Sequence, residues 1–290
     1  MGTAVDDCLK HLHDIGDVLW LPENPNLRNI VFHLPRVLND IITSLFRHDY
    51  DSYFELGDDD KMGNLFVCKG NFSLEKYKDV VLQFLHEGQI PRPLLHCLWF
   101  YHQLTDKQYE DLLTLLPLLE FCYTLEEPNI PDGCYYKRPL MVIPWFNQQE
   151  IGSELVEMQS TLTSTNMETA AFEYEFPLGI PAGTFESLSC ILQNTLKTRL
   201  DWQDAVYGEI KDGQILLTRH KDNNTDSELV TILLGGPDKD SVQSHVKHLT
   251  EIITNILARV KGLVWRINAP VVLWQKQQVF SGVNETQTRV

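Results

Sequence analysis

Histidine pairs are the first residues whose type and spacing could do chemistry. His245 and His248 lie one turn apart on a predicted helix and could share a metal ion. A zinc site needs three or four ligands. Because no further ligands follow at a zinc-site spacing, a solvent-exposed helix face is the favoured interpretation. His11 and His13 fall on different faces of another predicted helix, so we expect no metal site in either place.

The cysteines are scattered, with no Cys-x-x-Cys motif and no close pair. They are Cys8, Cys68, Cys97, Cys122, Cys134 and Cys190. This pattern predicts buried free thiols in a reducing compartment. No Cys–His spacing supports a thiol nucleophile. The acidic run 58–60 lacks the glycine and the terminal glutamate of an EF-hand calcium loop, so we interpret it as a solvated turn.

Most catalytic signatures are absent from the sequence. There is no GxxxxGK[ST] phosphate loop, and no glycine is followed by a lysine. The GxGxxG, GxSxG and HExxH motifs are absent as well. We therefore expect no cofactor and no enzymatic activity. An enzyme whose site is assembled from dispersed residues stays open as the alternative, and a deep pocket lined by titrating groups would favour it.

Composition and charge limit the classes of protein to which the chain can belong. The chain has 290 residues, 43% of them hydrophobic, which is enough for a large core without disulfides or metals. Forty acidic residues against 24 basic ones give a net charge of −16, which disfavours binding to nucleic acid. No signal peptide precedes the first helix, and the most apolar run, Leu112–Cys122, is too short to span a bilayer. We expect a cytoplasmic protein without a transmembrane segment.

The first half of the chain reads as short helices and short strands. Helical periodicity marks 9–15, 35–46, 77–85 and 94–99, and a fifth helix starts after a capping box at Thr105–Gln108. Strand patterns mark 18–21, 29–33, 119–125 and 139–145. The polar stretch 49–64 is expected to be a mobile loop. Three helices followed by two strands have the order of a winged-helix unit. Since these helices carry few cations, contact with protein is favoured over contact with DNA.

The second half begins after a polar stretch, 147–170, which is the best candidate for a linker. Strands are predicted at 172–177, 206–210, 214–219 and 229–234, with Asp212-Gly213 as a hairpin signal. One helix follows Phe185, and a long helix carries an apolar stripe from Val242 to Val260. An edge strand is expected within 263–273, and a disordered tail beyond Gln275.

Several segments resemble the COR domain, the C-terminal-of-Roc module of Roco proteins. The segment Leu9–Trp20 is similar to the opening of that domain, and Ile30–Leu38 to its apolar strand and following helix, with Val37 where tryptophan is usual. Phe176–Phe185 resembles the strand-Pro-Gly-helix entry of the COR dimerisation subdomain. The run Ser44–Asp49 is most similar to the animal Roco proteins that resemble malignant fibrous histiocytoma-amplified sequence.

This resemblance implies an α+β fold with two subdomains. Residues 1–146 would form a helical COR-A half with the winged-helix-like unit, 147–170 the linker, and 171–274 a smaller, mixed α/β-sheet COR-B half with two main helices. Residues 275–290 would be the disordered tail.

The resemblance also implies a function in intracellular signalling. The chain would be a non-catalytic scaffold that forms a homodimer through COR-B and contacts a Roc-type GTPase domain, in the same chain or in another. The Roc-facing candidates are Ile30, Val31, Phe32 and Pro35. The chain itself holds no GTPase motif, so we expect it not to bind GTP.

The C-terminus carries one further motif. Thr288 and the terminal Val290 have the spacing of a PDZ-domain ligand, which adds as a strand to a sheet edge. A PDZ domain is therefore a candidate partner.

Overall fold

The chain forms two compact units. The computed structural model describes residues 4–33, 35–46, 74–125, 140–163, 167–221 and 227–271. The first unit comes mainly from the chain up to Met141, and the second runs from Val142 onward and includes Leu85–Gly88. Helices and antiparallel strands are present in the described residues, which confirms the α+β class.

The described helices and strands follow one another in short elements. The helices are α1 (Ala4–Asp14), α2 (Pro35–Thr43), α3 (Leu74–Glu87), α4 (Arg92–Leu98), α5 (Asp106–Leu118), α6 (Glu154–Leu162), α7 (Thr184–Leu192) and α8 (Lys239–Leu257). A 3-10 turn covers Phe100–His102. The strands are β1 (Val18–Trp20), β2 (Val31–His33), β3 (Gly88–Ile90), β4 (Tyr123–Leu125), β5 (Leu140–Asn147), β6 (Glu168–Phe176), β7 (Thr198–Trp202), β8 (Ala205–Ile210), β9 (Gly213–Lys221), β10 (Glu228–Gly236) and β11 (Arg266–Val271).

Helices α2 to α5 supply most of the buried side chains of the first unit. In α2 the buried residues are Leu38, Ile41 and Ile42, at helical spacing, whereas Val37 lies half exposed. The buried indole of Trp99 donates a hydrogen bond to the Ile41 carbonyl oxygen at 3.2 Å, which links the end of α4 to α2. The capping box at the start of α5 is present as predicted, with Thr105 and Gln108 bonding each other's backbone.

A small sheet contains strands β3, β5 and β4 in that order. Strand β3 was not predicted, because its sequence Gly-Gln-Ile contains one large apolar residue and shows no strand pattern. It begins at Gly88, whose φ of +68° suits glycine and allows the chain to turn directly from α3 into a strand. A Cβ atom at this position would lie 2.3 Å from the carbonyl oxygen of Ile143.

The second unit is built on a six-stranded antiparallel sheet in the order β11-β6-β10-β9-β8-β7. Strand β10 lies in the middle and pairs with β6 on one side and β9 on the other, so that Ile232 stands between Phe172 and Leu217. Strands β7 and β11 are the two edges. The predicted edge strand within 263–273 is therefore present as β11.

Helices α7 and α8 cover one face of this sheet. The core combines alternating strand residues, such as Tyr174 and Val230, with Leu188 of α7 and with Leu249 and Ile253 of α8. The apolar stripe of α8 is buried in this core, so it does not form an exposed surface. Burial raises the pKa of the Tyr174 hydroxyl, which keeps this core residue neutral.

Several local predictions differ from the structure. The strand expected from 119 begins only at Tyr123, because α5 continues through Pro117 to Leu118. The segment 147–170 contains α6 and the start of β6, and Leu162 of α6 is fully buried. In the predicted hairpin, the two-residue loop is Lys211-Asp212, with the positive φ at Asp212.

The cysteine prediction is wrong at one position. Cys97, Cys122 and Cys190 are buried free thiols as expected, but Cys8 is exposed on α1. Cys68 and Cys134 lie outside the described residues, as do the 49–64 loop and the tail beyond Gln275.

Candidate interaction surfaces

The predicted Roc-facing residues lie on and around a small hairpin in the first unit. Strand β2 contains Val31 and Phe32, and pairs with β1 so that Val31 faces Trp20. Ile30 directly precedes this strand, and Pro35 begins α2. The side chains of Ile30, Val31 and Phe32 are half-buried, so part of each is available for contact.

The hairpin is held by its connecting loop. The Trp20 indole, which is buried, donates to the carbonyl oxygen of Arg28 at 2.9 Å. The Asn24 side-chain oxygen accepts from the backbone N–H groups of Asn26 and Leu27, a local Asx turn. Leu27 itself is buried. These contacts fix the loop, so β2 presents its exposed atoms from a preformed backbone.

The β7 edge of the large sheet is fixed by a network around Arg199. This guanidinium is 1% exposed, and it donates to the carbonyl oxygen of Ser189 at 2.7 Å and to the Ser189 hydroxyl. It also donates to both carboxylate oxygens of Asp201, two residues along the strand. Since side chains at i and i+2 share a strand face, the Arg-x-Asp spacing is the sequence signal that could have found this pair.

The opposite face of the same edge is apolar and partly open. Leu200 is 52% exposed and stands opposite Tyr207 of β8. Tyr207 is half-buried, and burial together with the nearby charge of Glu209 raises its pKa, so the phenol stays neutral. Strand β7 has one strand neighbour in the described sheet, so it is an edge strand of that sheet.

A polar cavity of about 520 Å³ lies within the second unit. Its lining includes Trp145 and Asn147 from the end of β5, Glu186 from the first turn of α7, Gln203 from the turn before β8, and Arg219 from β9. These residues are far apart in sequence, and no motif connects them. Sequence reasoning therefore missed this site entirely.

Arg219 is the basic residue of the cavity lining, and other groups already engage it. Its guanidinium donates to Asp204 at 2.7 Å and lies over the Phe185 ring, 4.7 Å from the centroid. A longer contact of 3.3 Å joins it to one carboxylate oxygen of Glu186. The other oxygen of Glu186 is buried and accepts no hydrogen bond within the described structure.

The residues that the sequence analysis considered for metal binding and for a PDZ domain lie elsewhere in the chain. No three His, Cys, Asp or Glu side chains converge there as a group that could hold a metal ion. On α8, His248 is exposed, whereas His245 is half-buried, so the expected solvent-exposed face is present only in part. The candidate PDZ ligand, Thr288 and Val290, lies outside the described residues. None of the described helices combines the length and the apolar character needed to cross a membrane.

Comparison with known proteins gives distant but consistent relatives. The chain is 24% identical over 208 residues to malignant fibrous histiocytoma-amplified sequence 1 homolog of Xenopus tropicalis, a match that covers 68% of this chain and 19% of that protein. It is 22% identical over 227 residues to the human protein, with 70% of this chain and 21% of that protein covered. The Mus musculus homolog is 22% identical over 235 residues, with 70% and 21% covered.

These matches support the resemblance to Roco-like proteins that the sequence motifs indicate. The chain spans about a fifth of the length of these curated relatives. No protein-family model matches it.

Proposed function

We propose that the chain is a non-catalytic COR module of a Roco-type protein, which forms a homodimer and contacts a Roc GTPase domain in cytoplasmic signalling. The observation that carries this proposal is the similarity to malignant fibrous histiocytoma-amplified sequence 1 proteins over about 70% of the chain. These are the same relatives that the motifs between Leu9 and Phe185 indicate. A match of this breadth, found with the Xenopus tropicalis, human and Mus musculus proteins, is more specific than any single motif.

The arrangement of the first unit and its sheet supports the COR-A part of the proposal. The elements α3, β3, α4, α5, β4 and β5 follow one another in the order of a winged-helix unit. In such a unit, the strand between the first two helices pairs with the last strand, and β3 does lie beside β5 in the sheet. The net charge of −16 favours a protein partner over a phosphate backbone for this unit.

The β2 hairpin is the surface that we propose for the Roc domain. Its backbone is fixed by the Trp20 and Asn24 hydrogen bonds, so little conformational entropy is lost when a partner binds. Val31 and Phe32 expose part of their apolar side chains, and α2 begins three residues after Phe32, at Pro35. A small apolar strip on a rigid hairpin is suited to a protein–protein contact.

Binding of a purified Roc domain, followed by calorimetry, tests this surface. Val31→Arg should weaken the binding strongly, because an unpaired charge buried in an apolar contact is costly. Val5→Arg is the matched control, since Val5 is 65% exposed on α1. Equal affinities for the wild-type chain and folded Val31→Arg would contradict the proposed surface. In the same instrument, the chain alone should show no saturable heat with GTP or GDP in Mg²⁺ buffer.

The β7 edge is the surface that we propose for the homodimer. Strands at the edge of a sheet are common sites of contact between chains, and twofold symmetric contact of identical surfaces is the commonest arrangement in homodimers. The Arg199 network holds β7 in place, while Leu200 and Tyr207 supply an apolar patch on the other face. The α8 stripe is buried in the protein's own core, so it is not available for this role.

A further inference from the structure

We propose that Val272–Trp274 forms a C-terminal strap, which turns back from the edge strand β11 and packs against an apolar row on the open face of the large sheet. The open face is the one opposite α7 and α8. The three residues of the strap follow directly after the last residue of β11. The contact fastens this edge strand and covers part of the row. The proposal depends neither on the COR assignment nor on the homodimer.

The apolar row follows from the register of the strands. Residues opposite each other in neighbouring strands share a face of the sheet. Leu233 of β10 is opposite Ala171 of β6, and it alternates with Ile232, which belongs to the core beneath α7 and α8. The register therefore aligns one row across the sheet, from β7 to β11: Leu200, Tyr207, Leu216, Leu233, Ala171 and Val271.

Helix α6 lies on the open face at the end where β6 begins. The Thr169 hydroxyl donates to the Leu162 carbonyl oxygen at 3.0 Å, and a Cβ atom at Gly235 would lie 3.0 Å from the Leu162 side chain. Gly235 is two residues beyond Leu233 and shares its strand face. In the row itself, Leu233 and Ala171 are half-buried. The part of the row next to β11 therefore keeps accessible apolar surface.

Strand β11 ends where this row reaches the edge of the sheet. Its register with β6 shifts between Asn268 and Val271, as in a β-bulge, and Val271 is paired with Ala171. Pro270 lies within the shift, at an edge position where a missing N–H is tolerated. A bulge bends the strand that contains it. This bend favours a departure of the chain from the sheet beside the apolar row.

The residues after Val271 have the composition and the reach for this contact. The strap Val272–Trp274 is entirely apolar, and the polar run Gln275–Gln278 follows it. The distance from β11 to β10 is two strand spacings, ~10 Å at ~4.8 Å each. Three extended residues also span ~10 Å. Trp274 therefore reaches Leu233, and its indole has a large apolar surface to bury.

The chain's own segment is favoured over a partner as the occupant of this part of the row. Because the strap is joined directly to β11, its effective concentration at the face is far higher than that of a separate molecule. The charges agree with this choice. Lys276 is the first charged residue after β11, and Glu173 lies on the open face two residues from Ala171. The β7 end of the row, with Leu200, lies beyond the reach of the strap.

Disulfide trapping in the full chain tests the contact. Leu233→Cys combined with Trp274→Cys should form an intrachain disulfide under mild oxidation, because the bond needs Cβ atoms within about 4.5 Å of each other. Leu229→Cys combined with Trp274→Cys is the matched control. Leu229 shares the strand face but lies about 13 Å further along β10, so the yield should be at least about tenfold lower. Cys8→Ser in every chain removes an exposed native thiol, and peptide mapping identifies the bond.

Thermal unfolding of the full chain gives an independent measurement. Trp274→Asp should lower the melting temperature by about 3 °C or more, because it replaces an apolar contact by a charge against the row. Phe280→Asp makes the same kind of change beyond the strap, so it should shift the melting temperature by less than about 1 °C. Trp274→Phe should melt close to the wild type, since it keeps an aromatic ring.

Four results would overturn the proposal. Equal yields from the Leu233 and Leu229 pairs, or no trapped disulfide in either, would mean that Trp274 does not lie on this part of the row. A disulfide between two chains in place of the intrachain bond would assign the segment to a second copy. Equal melting temperatures of Trp274→Asp and Phe280→Asp would mean that the strap makes no packing contact.

Discussion

The Arg199 guanidinium donates to both carboxylate oxygens of Asp201, at 2.6 and 2.5 Å, within one edge strand. The arginine is almost fully buried, and the aspartate is 17% exposed. The same guanidinium reaches the Ser189 carbonyl oxygen in α7, so one side chain joins the sheet edge to the helix that covers it. The attachment of strand β7 to helix α7 therefore depends on the ion pair between Arg199 and Asp201.

Removing that charge should destabilise the second unit. Arg199→Met keeps much of the volume but leaves Asp201 and the Ser189 carbonyl without their donor, at a cost of about 3–5 kcal/mol in the free energy of unfolding. Arg199→Lys should cost less, because lysine keeps the charge but lacks the planar fork. Urea unfolding measures both variants.

The matched control for this experiment is Arg266→Met on the other edge strand. Arg266 is exposed, so the substitution should change the unfolding free energy by less than about 0.5 kcal/mol. Equal stability of Arg199→Met and Arg266→Met would mean that the Arg199 network is not what holds β7.

The turn at Gly88 gives a second prediction. Gly88→Ala should destabilise the protein by about 3 kcal/mol or more, because strain at positive φ adds to a Cβ placed 2.3 Å from the Ile143 carbonyl oxygen. Gly262→Ala is the control, since Gly262 has a φ of +79° with open space around it. It should lose only about 1 kcal/mol, from the backbone strain. A smaller loss in Gly88→Ala than in Gly262→Ala, measured by urea unfolding, would refute this account.

The start of α8 gives a pH-dependent prediction. The Asp238 carboxylate caps the helix by accepting from the Ser241 N–H at 2.8 Å, and this bond is the main cause that lowers its pKa below 3.8. A lowered folded-state pKa adds stability that is complete above the ordinary value and disappears as the pH falls through the folded-state value. Asp238→Ala should therefore melt at a lower temperature than the wild type at pH 7.

The difference should narrow as the pH falls through the folded-state pKa, because the wild-type carboxylate then becomes protonated and the contribution of its charge is lost. Asp238→Asn separates the cap from the charge, because the amide oxygen still accepts the Ser241 N–H. It should melt close to the wild type at neutral pH and show a weaker pH dependence. An Asp238→Ala melting temperature equal to that of the wild type at pH 7 would contradict the role of the cap.

Periodicity and turn chemistry predicted the elements that are long or end in glycine. The stripe on α8 is an example, and so is the β8–β9 hairpin, although its loop was displaced by one residue. Strand β3, Gly-Gln-Ile, contains one large apolar residue and therefore gave no strand signal. Helix α6 was missed because Val156 is exposed and the helix is rich in polar residues, so only Leu162 signals its buried side.

The candidate sites also differ in how far the sequence could predict them. Val31 and Phe32 are adjacent in sequence, so a strand prediction was enough to place them together. Trp145, Glu186 and Arg219 come from a strand of the small sheet, a helix and a strand of the large sheet, and only the packing of these elements brings them to one cavity. Their proximity depends on tertiary contacts between distant segments, which local sequence patterns do not contain.

Sedimentation of the full chain tests the dimer proposal most directly. At physiological ionic strength the Debye length of ~8 Å limits the repulsion between two chains of net charge −16. Leu200→Lys places a charge in the proposed interface, whereas Leu178→Lys changes a loop leucine that is 82% exposed in the same unit.

The measurement is analytical ultracentrifugation from about 1 to 100 μM, a range that detects association stronger than about 5.5 kcal/mol. The wild-type chain and Leu178→Lys should approach twice the chain mass of 33.5 kDa as the concentration rises, and Leu200→Lys should stay at the monomer mass. A wild-type chain that remains at 33.5 kDa throughout this range would contradict the proposed homodimer.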